Sequence, residues 1–208
     1  MIFSSRCKWT RRAVVAVVTF AVFPWVGVSS AVAARDVVTG ATNYGRAATA
    51  LGQEVVLWRP TYTAALRRKG PIDVIAYGKD RKRSTFVGST YGKRVPSFTL
   101  AQKSSDTNWA ATPVEYANQG LVASVPIRIG APGSKRQVRA RVYANCRVSG
   151  TQERSCTRTD VARFGGTLEI LARTMVDGVP QATNIRLDSN GLSYRQLVRV
   201  ARGLVPAT

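Results

Sequence analysis

Two β-prone runs, residues 167–176 and 179–187, are separated by nothing but Asp177-Gly178. A connection of two residues makes them a hairpin, because Asp-Gly suits the positive φ angles of a type I′ turn, whose twist matches that of the strands it joins. The same logic extends along the chain. Residues 121–129 and 137–143 flank Gly130-Ala131-Pro132-Gly133-Ser134, and residues 72–77 and 84–91 flank the polar tip Gly78-Lys79-Asp80-Arg81-Lys82-Arg83. Shorter runs at 55–58 and 97–102 complete seven or eight strands, and residues 103–113 read as a polar connection containing Trp109. Successive hairpins predict an antiparallel sheet.

In the run 137–143, Val138, Ala140 and Val142 alternate with Arg139 and Arg141. Side chains on a strand point alternately to its two faces, so one face is apolar and the other basic. Residues 37–51, rich in Ala, read as an N-terminal helix, against which Gly40 and Gly45 argue. At the other end Ser193-Tyr194-Arg195-Gln196 fits a capping box, and Leu192 and Leu197 stand where a hydrophobic staple closes. Tyr194, Leu197, Val198, Ala201 and Leu204 or Val205 form an apolar stripe; Arg195, Arg199 and Arg202 form another face, and Gly203 and Pro206 are stop signals. Together these patterns predict an α+β fold: a mainly antiparallel sheet with an amphipathic C-terminal helix and a second helix at the N terminus.

The first 34 residues have the parts of a secretory signal. Arg6, Lys8, Arg11 and Arg12 precede an apolar stretch at 13–28, and Ala31-Val32-Ala33 is a small-x-small site, so cleavage is expected after Ala33 or Ala34. The stretch falls short of the ~20 residues of a membrane span and contains Pro24. Thr10-Arg11-Arg12-Ala13-Val14 also fits a twin-arginine signal, but paired Arg is common in any basic leader, and the general export route is the favoured one. Residues 35–208 then form a single secreted basic domain, with no linker or fixed-period repeat. Cys7 leaves with the leader. Cys146 and Cys156 remain, and in an exported domain they predict a disulfide.

Charge narrows the function. The chain has 31 Lys and Arg, 11 Asp and Glu and no His, a formal charge of +20. Without His there is no Ser-His-Asp or Cys-His nucleophile and no imidazole-bound zinc. Loss of the four basic leader residues leaves 27 basic against 11 acidic, a charge of +16. The candidate anion-binding residues are Arg67, Arg68 and Lys69; Lys79, Arg81, Lys82 and Arg83; and Lys135, Arg136, Arg139 and Arg141, with Lys93-Arg94 a further cluster and Arg147, Arg154 and Arg158 in or beside the loop the disulfide closes. Such an excess attracts polyanions, and the planar fork of Arg suits two oxygens at once.

The favoured expectation is an exported, non-enzymatic binding protein, of the kind a secreted effector represents, that engages an anionic wall polymer, an anionic membrane surface or a host polyanion. Nucleic acid is disfavoured because no familiar binding motif is present. Neither metal nor cofactor is expected, since metal-ligand spacings, Gly-rich phosphate loops and nucleophile elbows are all missing. The alternative is a small secreted hydrolase using two carboxylates on an anionic polymer such as cell wall, with Glu54 and Glu115 as candidates. Aromatics near the charges (Trp58, Tyr62, Tyr77, Phe86, Tyr91, Trp109) are candidate stacking groups, although core packing is the commoner fate of aromatics in strands.

Overall fold

Hairpin follows hairpin in the computed structural model, which describes residues 35–51, 55–77, 86–104, 119–146 and 155–207. The expected leader, the tip residues Lys79, Arg81, Lys82 and Arg83, the candidates Glu54 and Glu115, Trp109, Arg147 and Arg154 lie outside these residues. The described elements are β1 (Arg35–Ala41), α1 (Tyr44–Leu51), β2 (Trp58–Pro60), β3 (Arg68–Tyr77), β4 (Phe86–Tyr91), β5 (Ser97–Ser104), β6 (Gly120–Ile129), β7 (Arg136–Ala144), α2 (Arg158–Phe164), β8 (Gly166–Val176), β9 (Val179–Asn190), α3 (Tyr194–Arg202) and β10 (Leu204–Pro206).

The α+β assignment is therefore corrected: the described fold is mainly β, with ten strands and three helices of eight, seven and nine residues. The stretch 37–51 accounts for part of the difference. Its β-branched start, Val37-Val38-Thr39, belongs to β1, which pairs antiparallel with β3 from Arg35↔Tyr77 to Ala41↔Ile72. Only Tyr44–Leu51 is helical. The strand expected at 55–58 is shifted: residues 55–57 lie in no strand and β2 starts at Trp58, while β10 was too short to stand out as a run, and these two three-residue strands pair with each other from Leu204↔Pro60 to Pro206↔Trp58.

The main sheet has eight strands in the order β1-β3-β4-β5-β9-β8-β7-β6, every pair antiparallel. It consists of two meanders joined where β5 meets β9, from Ser97↔Asn190 to Ser104↔Thr183. At the Asp177-Gly178 turn both φ angles are positive, 48° and 80°, and the ladder beside it begins at Val176↔Val179.

One face of the sheet is the core. Val74, Val87, Leu100, Ile170, Leu187 and Ala140 are buried there beneath α1 at one end and α3 at the other. Burying a side chain of this size contributes roughly 1.5–3 kcal/mol. Beneath the sheet, residues 55–60 are held by buried polar side chains as well as by the β2–β10 ladder. Gln102 Oε1 accepts from the Trp58 N–H at 2.6 Å, and its Nε2 donates to the Trp58 carbonyl at 2.8 Å. Thr183 Oγ1 donates to the Val56 carbonyl at 2.7 Å.

The capping box at α3 is formed: the Gln196 N–H donates to Ser193 Oγ at 3.3 Å and the Ser193 N–H to Gln196 Oε1 at 2.9 Å. Leu197, Val198, Val200 and Ala201 are buried, and Arg195, Arg199 and Arg202 are exposed. After Gly203 the chain does not stop but enters β10, where the Leu204 carbonyl also accepts from the Gly130 N–H at 2.9 Å. Cys146 and Cys156 form a disulfide with Cα atoms 5.7 Å apart. A helix, α2, which the sequence reading did not include, follows it before β8. Its start is fixed by Asp160, whose carboxylate accepts from the Thr157 N–H at 2.8 Å and the Thr157 hydroxyl at 2.7 Å.

Candidate functional site

β7 and β8 are paired over only part of their lengths, from Ala140↔Ile170 to Ala144↔Gly166. Past this point β7 continues as residues 136–139, paired with β6, and β8 as residues 171–176, paired with β9. Where the two hairpins part, a cleft of about 730 Å³ opens, lined by Arg136, Arg139 and Arg141 from β7, Glu169, Leu171 and Arg173 from β8 and Asn184 from β9. The alternation that buries Ala140 and Val142 turns Arg139 and Arg141 outward. In β8, Leu168, Ile170 and Ala172 are buried, so Glu169, Leu171 and Arg173 face the other way.

Three of the expected anion-binding residues thus meet at one place: Arg136, Arg139 and Arg141, with Lys135 exposed in the turn before them. Arg67, Arg68 and Lys69 do not. They lie at the start of β3, which is four strand spacings, about 19 Å, from β8. Arg68 has local work there, donating from Nη2 to the Thr42 carbonyl at 3.3 Å. The polar and charged lining residues of β8 and β9 missed in the sequence are Glu169, Arg173 and Asn184. Glu169 and Arg173 carried the same period-two signal as Arg139 and Arg141, on a run noted only for its turn.

Electrostatically the cleft is unbalanced. Arg139 donates from Nη1 to Ser124 Oγ at 3.3 Å, and among the described residues Arg136, Arg141 and Arg173 make no salt bridge. Beside the cleft on β9, Asp188 is fully engaged. It takes Arg186 Nε at 2.9 Å and the Thr167 hydroxyl at 2.7 Å, with Gln119 Nε2 donating to that hydroxyl at 3.2 Å. Glu169, half-buried, has no such partner among the described residues. Burial pushes its carboxyl above the usual range, against the pull of Arg186, with Asp188 adding to the rise and Arg141 opposing it. On β5, opposite Asn184, Lys103 is also buried, and burial lowers its pKa.

The sign of the Glu169 effect gives a prediction. A carboxyl that holds its proton more tightly when folded contributes stability that falls as pH rises through the folded pKa. Glu169→Gln should therefore be more stable than the parent at neutral pH and nearly equal to it at acidic pH, where the parent's carboxyl is protonated. Urea unfolding at the two pH values checks this, and a variant less stable than the parent at neutral pH would contradict it.

Three of the candidate stacking aromatics are engaged within the fold. Tyr91 is buried and stacks on Phe98 with ring centroids 4.6 Å apart, Trp58 is buried beneath the sheet, and Tyr62 lies under the Arg199 guanidinium at 4.3 Å. Among the described residues no group of three His, Cys, Asp or Glu could hold a metal ion, and no helix is long and apolar enough to cross a membrane. Compared with known families, curated proteins and solved structures, the chain matches none.

Proposed function

We propose that the protein is an exported, strongly basic β-sheet domain that acts by binding an anionic polymer in the cleft between β7 and β8. The observation that carries this reading is the convergence of Arg136, Arg139, Arg141 and Arg173 on one concave site with, among the described residues, a single carboxylate, Glu169. Export is supported by the leader pattern of residues 1–34 and by the Cys146–Cys156 disulfide, a bond that persists in oxidising compartments. Heparin serves as the probe. Binding that releases counterions weakens linearly on a logarithmic salt scale, by about one unit of slope per neutralised contact. The Arg139→Ala/Arg141→Ala double variant should lower that slope by about two, whereas Arg67→Ala, four strands away, should change it little. Elution of the parent protein near physiological salt would sink the proposal.

The hydrolase alternative draws support from one placement. Glu169 and Asp188 are diagonal neighbours across β8 and β9, a relation that sets residues roughly 7–8 Å apart. Asp188, however, is occupied by Arg186 and Thr167 and does not line the cleft, which favours binding over turnover. Release of soluble fragments from anionic wall polymer by the parent, lost in Glu169→Gln, would reverse that preference.

A further inference from the structure

The cleft is bounded by backbone as well as by arginine. Residues 171–176 of β8 are paired with β9 on one side, and no described strand pairs with them on the other. Every second residue of such an edge turns its N–H and C=O outward, a template for one more strand. Edges of this kind are usually guarded by charge, bulges or proline. Here Arg173 stands on the edge strand with Arg139 across the gap, and Arg141, opposite Glu169, marks the end where the two strands are still joined. These charges repel a second copy of this chain, itself strongly basic, and attract a strand of opposite charge.

The pattern such a strand needs follows from the two faces of β8. Its side chains on the outer face would fall about 4.5–5.5 Å from Leu171, Arg173 or Met175, counted between Cβ atoms. Those on the opposite face would fall beside Ala172, which is buried, and Val138, which is half-buried against the core. Glu169 stands where β7 and β8 are still joined, so an added strand ends short of it. We infer that the split between β7 and β8 captures an extended acidic polypeptide, with acidic and apolar residues alternating, as an added strand on the free edge of β8. This rests on the anionic-partner reading above and narrows it: a polysaccharide or polyphosphate would meet the arginines but leave the β8 backbone groups to water.

Along a strand the N–H groups alternate in direction together with the side chains, so in an alternating Glu-Val octapeptide all Glu N–H groups point one way and all Val N–H groups the other. Two isomers, N-methylated at the Glu or at the Val positions, have the same charge and composition. For a strand added antiparallel, as every pair in this sheet is, only one of them keeps the donors aimed at β8, so their affinities should differ by about tenfold or more. The unmethylated peptide should slow amide exchange within residues 171–176, and Arg173→Glu should abolish its binding. Equal affinity of the two isomers, or edge amides of 171–176 already protected in the free protein, would overturn strand capture. Retention on heparin separates the two levels: heparin bound with the isomers indistinguishable overturns strand capture alone, and neither heparin nor peptide bound overturns the anionic-partner reading as well.

Discussion

In chemical denaturation, Gln102→Leu should lower the unfolding free energy by about 2–5 kcal/mol. Gln102 is fully buried, and its amide does for Trp58 what a neighbouring strand would do, accepting from the N–H at 2.6 Å and donating to the C=O at 2.8 Å. Leucine fills a similar volume but leaves both backbone groups without partners in a dry interior, and each such orphan costs about 1–3 kcal/mol. Gln102→Glu is the informative companion. Its carboxylate can still accept from the Trp58 N–H but faces the Trp58 carbonyl with a second oxygen, so it too should destabilise. A loss below about 1 kcal/mol for Gln102→Leu would mean that the Trp58 backbone finds other partners.

Cys156→Ser should cost about 2–5 kcal/mol, the usual range for removing a native disulfide from a small domain. The bond closes a short loop, its two cysteines ten residues apart in sequence, and chain-entropy reasoning assigns such a loop roughly 3 kcal/mol. Cys146 lies two residues beyond the end of β7, and α2 begins two residues beyond Cys156, so the cross-link ties the strand bearing Arg139 and Arg141 to the helix packed beside it. The Cys146→Ser/Cys156→Ser double variant should lose no more than the single one, since the interaction is shared. A native protein that reacts with thiol reagents at both positions would refute the prediction.

The parts of this fold that could be read from sequence are those governed by neighbours in the chain. Asp177-Gly178 and Ser193-Gln196 each act within a few residues, so the β8–β9 hairpin and the start of α3 were both legible. Thr157-Asp160 is a signal of the same type, and it marks the start of α2. What was not legible is lateral order. Nothing local tells β9 to pair with β5, or keeps β7 apart from β8 before Ala140, and it is this partial pairing that opens the cleft. Hence two clusters that look equivalent as text, Arg67-Arg68-Lys69 and Lys135 to Arg141, end up at distant points of the sheet, and only the second meets the cleft. The short strands β2 and β10 carried no periodicity to detect, because their partners come from opposite ends of the domain.

That last pairing also constrains the order of assembly. The β8–β9 hairpin closes across two residues, so its contacts can form as soon as its own segment collapses. β2 must instead wait for β10, with Pro60 opposite Leu204 and almost the whole domain lying between them in the chain. Loop closure over that span is unfavourable until the intervening strands are in place. The small sheet beneath the large one is accordingly a late event in folding, a clasp fastened after the garment is on, and a chain still emerging from the ribosome cannot fasten it until β10 is free.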